Sequence, residues 1–436
     1  MTKTQHEVRD GIHGFISFNN TERKLIDSRP FQRLRAIHQL ALCQQVYPGA
    51  SHKRFEHSLG VMEVASRIFE SLFLTRRQEK LSQAVRDRIA EELEKLDYWR
   101  SVLRIAALLH DVGHLPFSHA AEKDLLPQGW NHERITAKII RESEIGSILL
   151  EANPPIRPDD VVDLAWDLEK RPRTASLGPW KTLLNEIITG PTFGADRIDY
   201  LLRDSLHCGV AYGKFDPIRL IDGLRATIDP DSEEIAIGLD WGSIHAAEAL
   251  LLARYFMYRQ VYLHDVRRIY DIHLKEFLQR WLPDGRFPVD WKQLMDFTDH
   301  EIFVALYKGA EDVNDSCHVE ASRLVRREHF RTVYELMPTH KRKYPPIFEE
   351  MVEFAIDEFG AENVRADPYF SASDKNEFWV LPETGGPEKA RQVSHVIANL
   401  PDVDIGFIFV APHLRDKART GLDEKLRSIF PDRGEG

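Results

Sequence analysis

Ile105-Ala106-Ala107-Leu108-Leu109-His110-Asp111 decides the reading of this chain. Five apolar residues in succession suit the last turns of a buried helix. An imidazole and a carboxylate then follow side by side. Burying such a pair is costly unless something binds it. A divalent metal satisfies both groups together, because it takes a neutral histidine nitrogen and an aspartate oxygen.

Working outward, the pair has polar company in three other segments. Arg54-Phe55-Glu56-His57 lies upstream, His114, His119 and His132-Glu133 follow, and Asp196 stands in Gly194-Ala195-Asp196-Arg197-Ile198-Asp199-Tyr200. A lone histidine of this kind is more often a satisfied core or surface residue. Four spaced segments, each ending an apolar or aromatic stretch, favour a metallohydrolase instead. His57, His110, Asp111 and Asp196 would supply two imidazoles and two carboxylates. That donor set suits Mn, Fe, Co, Ni or Zn with water positions left open. No cysteine cluster is present, so a structural zinc site is excluded.

The bulk properties fit a cytoplasmic enzyme. The 436 residues can bury a large core and more than one lobe. A net charge of −11 opposes non-specific binding to duplex nucleic acid, while a local basic cleft can still hold a nucleotide. The three cysteines, Cys43, Cys208 and Cys317, are widely spaced and point to a reducing compartment. No apolar segment follows Met1, and no run approaches the roughly 20 residues of a membrane span.

The pattern along the chain is mainly helical. Residues 6–20 read as strand and turn, and residues 21–43 as helix with an early break at Pro30. A helix opens at His57, and residues 75–98 form a charged, exposed helix. Asn131 is a candidate cap for the helix begun by His132. Residues 153–160 read as a loop, and 181–208 as helix broken at Gly190-Pro191. A hairpin spans 226–240, with its turn at Asp229-Pro230-Asp231-Ser232. Residues 243–282 form one or two long helices. After residue 345, β-like runs such as Phe378-Trp379-Val380-Leu381 and Ile405-Gly406-Phe407-Ile408-Phe409-Val410 alternate with helix. The expected fold class is mainly α, with a helical core, a small β-hairpin and a C-terminal mixed α/β lobe. The expected division is a core over 1–345 and a lobe over 346–436, with a disordered tail from Asp432.

The ordered motifs resemble those of the HD-domain phosphohydrolases, in the branch of the deoxynucleoside triphosphate (dNTP) triphosphohydrolases. The resemblance runs from about Asp10 to Tyr262. It rests on Asp10-Gly11-Ile12-His13-Gly14, on Phe31-Gln32-Arg33-Leu34-Arg35, on residues 48–60 from Pro48-Gly49-Ala50 to Ser58-Leu59-Gly60, and on residues 110–119 from His110-Asp111 to Ser118-His119. It implies an HD-domain helical core with His57, His110, Asp111 and Asp196 as metal ligands. It implies acid–base and phosphate-contacting roles for His114, His119, Glu122, His132 and Glu133, with Arg54 on phosphate oxygens. Gln39 and Leu40 match sugar-contacting positions, and Tyr200, Asp204, Arg254 and Tyr262 match positions lining the nucleotide pocket. Asp27, Gln32 and Arg35 match contacts to a nucleotide effector.

The implied reaction is hydrolysis of a dNTP to deoxynucleoside and triphosphate, with Mg on the substrate phosphates and a dimer or tetramer as the assembly. The ligand set would equally serve an HD-type phosphodiesterase or nuclease acting on single-stranded or signalling nucleotides. A nucleotide-binding regulator with a vestigial metal site is a third reading. Four positions depart from the family pattern. Glu122 stands where an Asp is expected, Arg9 replaces an Asn, and Leu239 and Trp241 replace basic residues.

Overall fold

A computed structural model describes residues 5–74, 81–167, 177–370 and 377–431. Helix accounts for 60% and strand for 12%, so the fold is mainly α as expected. Nine strands occur among the described residues: β1 (Gln5–Asp10), β2 (Gly14–Asn19), β3 (Leu224–Ile228), β4 (Ile235–Asp240), β5 (Arg331–Glu335), β6 (Val364–Phe370), β7 (Trp379–Leu381), β8 (Glu388–Lys389) and β9 (Asp404–Val410). They make three small sheets, β1-β2, β3-β4-β7-β8 and β5-β9-β6. No helix among the described residues is long and apolar enough to cross a membrane. Cys43, Cys208 and Cys317 are all free thiols.

The described residues fall into two compact units. One takes those within 1–257, 287–300 and 374–400, and the other those within 258–286, 301–373 and 401–436. The first opens on the β1–β2 hairpin, which leads into α1 (Asn20–Asp27). Asn19 caps that helix, its side chain accepting from the Glu22 N–H while Glu22 accepts from the Asn19 N–H. Next come α2 (Arg29–Arg33), α3 (Arg54–Phe69), α4 (Gln83–Leu93) and α5 (Leu96–Leu109). Arg104 of α5 donates to Glu22 at 2.6 Å and to the Ser17 carbonyl at 2.9 Å, which fastens the hairpin to this helix.

Helix α5 packs along α3, and its residues from Val102 to Leu109, Arg104 apart, are almost wholly withdrawn from solvent. Each fully buried Leu or Ile there contributes roughly 1.5–3 kcal/mol. That burial holds the polar pair at the helix end in place. The remaining helices are α6 (His119–Leu125), α7 (His132–Glu142), α8 (Glu144–Leu150), α9 (Pro158–Ala165), α10 (Pro179–Thr189), α11 (Ala195–Cys208), α12 (Pro217–Gly223) and α13 (Ile244–Met257). Asn131 caps α7 as read from the sequence, its side chain accepting from the Arg134 N–H.

In the second unit β9 is the central strand, paired antiparallel with β5 and β6. Its last six residues are buried, which explains its unbroken apolar run. Helix α14 (Asp265–Trp281) belongs to this unit. Two further helices, α15 (Ile347–Phe359) and α16 (Arg415–Ile429), share a core with the sheet through Ile347, Met351, Ala355, Ile408, Ala418 and Leu422. Gly406 is obligatory in β9, because a Cβ there would lie 2.6 Å from the Phe348 ring.

Four segments differ from the sequence reading. The helix expected over 21–43 ends at Arg33 and continues only as one 3-10 turn, Leu34–Ala36. Residues 37–39 are drawn out instead, because Arg54 N donates to the Ile37 carbonyl and Gln39 N to the His52 carbonyl. Helix α9 begins at Pro158, inside the stretch read as loop, with the proline at a position where no intrahelical N–H is needed. The charged helix read over 75–98 lies partly outside the described residues, and its remainder is split between α4 and α5. The tail from Asp432 also lies outside them. The stretch expected as one lobe after 345 contributes to both units. Its β7 pairs in parallel with β4 through Leu239 and Val380, whereas β6 and β9 build the other sheet.

Candidate metal centre

Three helix ends carry the four expected ligands. His57 lies in the first turn of α3, where the Lys53 N–H donates to Glu56 at 2.7 Å and closes the helix start. His110 and Asp111 close α5, and Asp196 lies in the first turn of α11. The structure brings all four together. His57 Nε2 lies 3.0 Å from Asp196 Oδ1 and 3.7 Å from Asp111 Oδ2. His110 Nε2 lies 3.3 Å from Asp111 Oδ1 and 3.7 Å from Asp196 Oδ1. His57, His110 and Asp111 are close enough to share one ion, and so are Asp111, His114 and His132.

The orientation of each imidazole is set from behind. His110 Nδ1 donates to the Ala107 carbonyl at 2.9 Å, and His57 Nδ1 donates to Asp199 Oδ2 at 2.8 Å. A carbonyl only accepts, so Nδ1 of His110 carries the proton and Nε2 is left as a donor atom for a cation. Both Nε2 atoms are buried and neither makes an aligned hydrogen bond among the described residues, despite the close approach of Asp196. Two orphaned imidazole nitrogens facing two carboxylates are the arrangement a divalent cation would satisfy, so the donor set fits.

The two carboxylates draw positive charge to this place. Burial opposes charge on His57, but Asp196 and Asp199 outweigh it and hold the ring's pKa up at about 10. Burial likewise opposes charge on His110, and the neighbouring Asp111 and Asp196 raise its pKa. Burial raises Asp111, yet Arg54, His110 and His114 bring it well below the usual carboxylate range. Asp196 is also lowered, with burial overcome by His110 and His57.

A second group of residues stands beside these four. Arg54 donates from Nε to Ser118 Oγ at 2.6 Å and from Nη1 to Asp111. His114 Nε2 lies 3.2 Å from Asp111 Oδ1, and its ring stacks on His132 at 3.9 Å. Burial, with the Arg54 guanidinium and the His132 ring adding to it, pushes His114 well below the ordinary histidine pKa, so it is neutral. Glu122 accepts from His132 at both the backbone N–H (2.8 Å) and Nδ1 (2.7 Å). The acid that the family pattern pairs with His119 is therefore bonded to His132. Glu133 Oε1 is 3.8 Å from His132 Nε2. His119 opens α6, and its side chain lies outside the described residues.

The expected substrate-side residues are spread more widely. Gln39 follows the His38–Lys53 bridge, and its Oε1 is buried with no hydrogen-bond partner among the described residues. Leu40 is buried beside it in sequence. Tyr200 lies one turn after Asp196, with the Arg197 Nε at 3.4 Å from its hydroxyl. Asp204 is buried and accepts from His52 Nε2 at 2.7 Å, and His52 stacks on His207. Arg254 lies in α13, half-buried. Tyr262 ends the π-helical turn Tyr258–Tyr262 in the second unit.

Of the effector candidates, Gln32 and Arg35 meet. Arg35 Nε donates to Gln32 Oε1 at 2.9 Å, and its guanidinium lies 3.4 Å from the centre of the Phe55 ring. Asp27 pairs with Arg23 at the exposed end of α1.

The sequence reading passed over three residues that hold this site. Asp199 carries His57, Ser118 carries Arg54, and Asp299 carries the loop between them. Only Asp199 left a trace, as a second acid one helical turn beyond Asp196.

Residues 54–204 match the HD domain model, and residues 215–346 match the HD-associated region. An uncharacterized protein, MJ1154, of Methanocaldococcus jannaschii is 35% identical over 292 residues, covering 67% of this chain and 53% of its own length. The deoxynucleoside triphosphate triphosphohydrolase SAMHD1 of Gallus gallus is 28% identical over 378 residues, covering 77% of this chain and 57% of its own. The chain thus spans about half the length of the curated relatives it matches. The crystal structure of a hypothetical protein from Aquifex aeolicus, 34% identical, superposes with a TM-score of 0.75 and covers 96% of this chain and 100% of its own.

Proposed function

This chain belongs to the HD-domain phosphohydrolases, and from that we propose that it is a metal-dependent dNTP triphosphohydrolase, releasing deoxynucleoside and inorganic triphosphate. The observation that carries the reading is the pair of buried, unbonded Nε2 atoms of His57 and His110 facing Asp111 and Asp196, with a guanidinium and a stacked histidine pair alongside. A metal needs the first group, and a polyphosphate needs the second.

His57, His110, Asp111 and Asp196 would hold the cation, one of Mn, Fe, Co, Ni or Zn. When bound, such an ion polarises phosphate oxygens and lowers the pKa of a water. Arg54 is held by Ser118 at Nε and by Asp111 at Nη1, which keeps its guanidinium beside the ligands to meet growing phosphate charge. His132 is fixed by Glu122 at Nδ1, which leaves Nε2 to hold or deliver a proton at the leaving oxygen. His119 and Glu133 join that acid–base set by resemblance, and neutral His114 has one ring N–H to donate to a phosphate oxygen. Mg on the substrate phosphates completes the neutralisation.

Gln39 Oε1 is an acceptor in want of a donor, which suits a sugar hydroxyl. Leu40, Tyr200, Asp204 and Arg254 complete the proposed nucleotide pocket. Asp27, Gln32 and Arg35 form the proposed effector contacts, where the Arg35–Phe55 stack offers a flat cationic face to a base. The assembly is proposed to be a homo-oligomer in the cytoplasm.

Anion-exchange analysis of products from dGTP with Mn tests the reading. Triphosphate supports it. Pyrophosphate or a monophosphate assigns the site to a phosphodiesterase or pyrophosphohydrolase instead.

A further inference from the structure

The histidine that α3 contributes is held by a carboxylate with no free lone pair. Asp199 is wholly buried, and each of its oxygens is bonded twice. Oδ2 accepts from His57 Nδ1 and from Arg203 Nε, both at 2.8 Å. Oδ1 accepts from His13 Nε2 at 2.7 Å and from Arg203 Nη2 at 2.9 Å. Arg203 extends its third nitrogen, Nη1, to Asp10 Oδ2 at 2.8 Å. Asp10 Oδ1 then accepts the backbone N–H groups of Ile12 and His13, each at 2.9 Å. Asp10 and His13 bracket the turn of the N-terminal hairpin, so a buried chain of hydrogen bonds runs from that turn to the imidazole.

An independent observation shows that α3 is shaped to admit this carboxylate. Gly60 lies one turn beyond His57. A Cβ at Gly60 would sit 1.9 Å from Asp199 Oδ1 and 2.5 Å from Arg203 Nη2. The absence of a side chain is what lets the ion pair lie flat against the helix that carries the ligand.

We propose that Asp199 is the positioning residue that fixes the tautomer and direction of His57, and that the hairpin turn Asp10–His13 sets the affinity of the metal site through it. The inference rests on the metal reading above and deepens it. Asp199 selects the Nδ1–H form of His57 and so presents Nε2 to the cation. His13 and Arg203 keep Asp199 from turning away, and Asp10 keeps Arg203 and the turn in register. The N-terminal hairpin is thereby a working part of the centre although none of its residues reaches the ion.

The test is Mn²⁺ binding to the full chain, followed by competition with a chelating indicator and needing no substrate. Asp199→Asn is expected to weaken Mn²⁺ binding by about 10–100-fold. His13→Phe keeps a ring and removes one donor, and is expected to weaken it by about threefold to tenfold, the worth of one hydrogen bond. Unfolding of both metal-free variants, read by circular dichroism, checks that they are folded at the binding temperature. Should Asp199→Asn fail to fold, His13→Phe decides. Wild-type affinity in a folded variant overturns the inference while leaving the metal reading in place. A wild-type chain that takes up no Mn²⁺ overturns the metal reading itself, and the inference with it.

Discussion

Asp299 stands 182 residues from Phe117, yet its Oδ1 accepts the Phe117 backbone N–H at 2.8 Å. Its other oxygen accepts from both the backbone N–H (2.7 Å) and Nδ1 (2.6 Å) of His38. Between these anchors Phe117 and Ser118 have φ of 56° and 57°, left-handed values that cost a residue with a side chain about 1 kcal/mol or more. Ser118 Oγ then bonds the His38 carbonyl and receives Arg54. The wholly buried Asp299 thus holds in place a strained loop that receives Arg54.

Asp299→Ala removes three buried bonds to a carboxylate. Loss of about 3–5 kcal/mol of stability is expected, because bonds to charged groups contribute roughly 1.5–3 kcal/mol each and are not additive. Urea titration measures it. A midpoint unchanged from wild type would show that the loop holds itself.

His110→Ala and Asp111→Ala each remove a proposed ligand. Turnover is expected to fall by about 1,000-fold or more, since a bound cation contributes several kcal/mol to the transition state at 1.36 kcal/mol per decade. Unfolding should stay cooperative. A double variant that hydrolyses dNTPs at the parental rate would sink the site assignment.

Arg54→Lys keeps the charge and loses the fork. A lysine ammonium cannot reproduce both the Ser118 bond and the contact to Asp111. A decrease of about 10–100-fold in kcat/KM is expected, the equivalent of one charged hydrogen bond. Steady-state kinetics on dGTP will show it, and an unaltered kcat/KM would remove Arg54 from the phosphate site.

Glu186 of α10 offers a pH signature away from the centre. Burial pushes its carboxyl up to about 7, against the opposing N–H of Ile237, with Asp229 adding to the rise. Its folded pKa thus exceeds the ordinary 4.5, and between those values the native state binds more protons than the unfolded one. The associated stability is fully present below pH 4.5 and is lost as pH rises through 7. Glu186→Gln should flatten this slope and stabilise the protein above pH 7 by about 1–3 kcal/mol, partial exposure reducing the ideal figure. Unfolding free energies from pH 5 to 8 decide. Parallel curves for the two proteins would refute the assignment.

The four proposed ligand positions were legible because each is a polar residue beside a stretch that burial needs to be apolar, as at Leu109-His110. The caps and turns were legible for similar local reasons, Asn131 among them. What was not legible depends on partners remote in the chain. The helix read through residue 43 stops because Ile37 and Gln39 pair with the segment 52–54, a choice invisible to periodicity. The bond of Glu122 to His132, ten residues on, was likewise invisible to local spacing. Asp299 read as an ordinary polar residue, because nothing in its immediate sequence shows that a buried group waits for it.

The parallel pairing of β4 with β7 has a consequence for biosynthesis. Val380 leaves the ribosome long after Leu239 has emerged, as does Asp299 long after Phe117. Until those late segments arrive, the nascent first unit carries an unmated strand flank and an unanchored loop at its reaction centre. Chains cut short before residue 377 would bear an open template for self-association, and the cell must shield that surface or finish translation quickly.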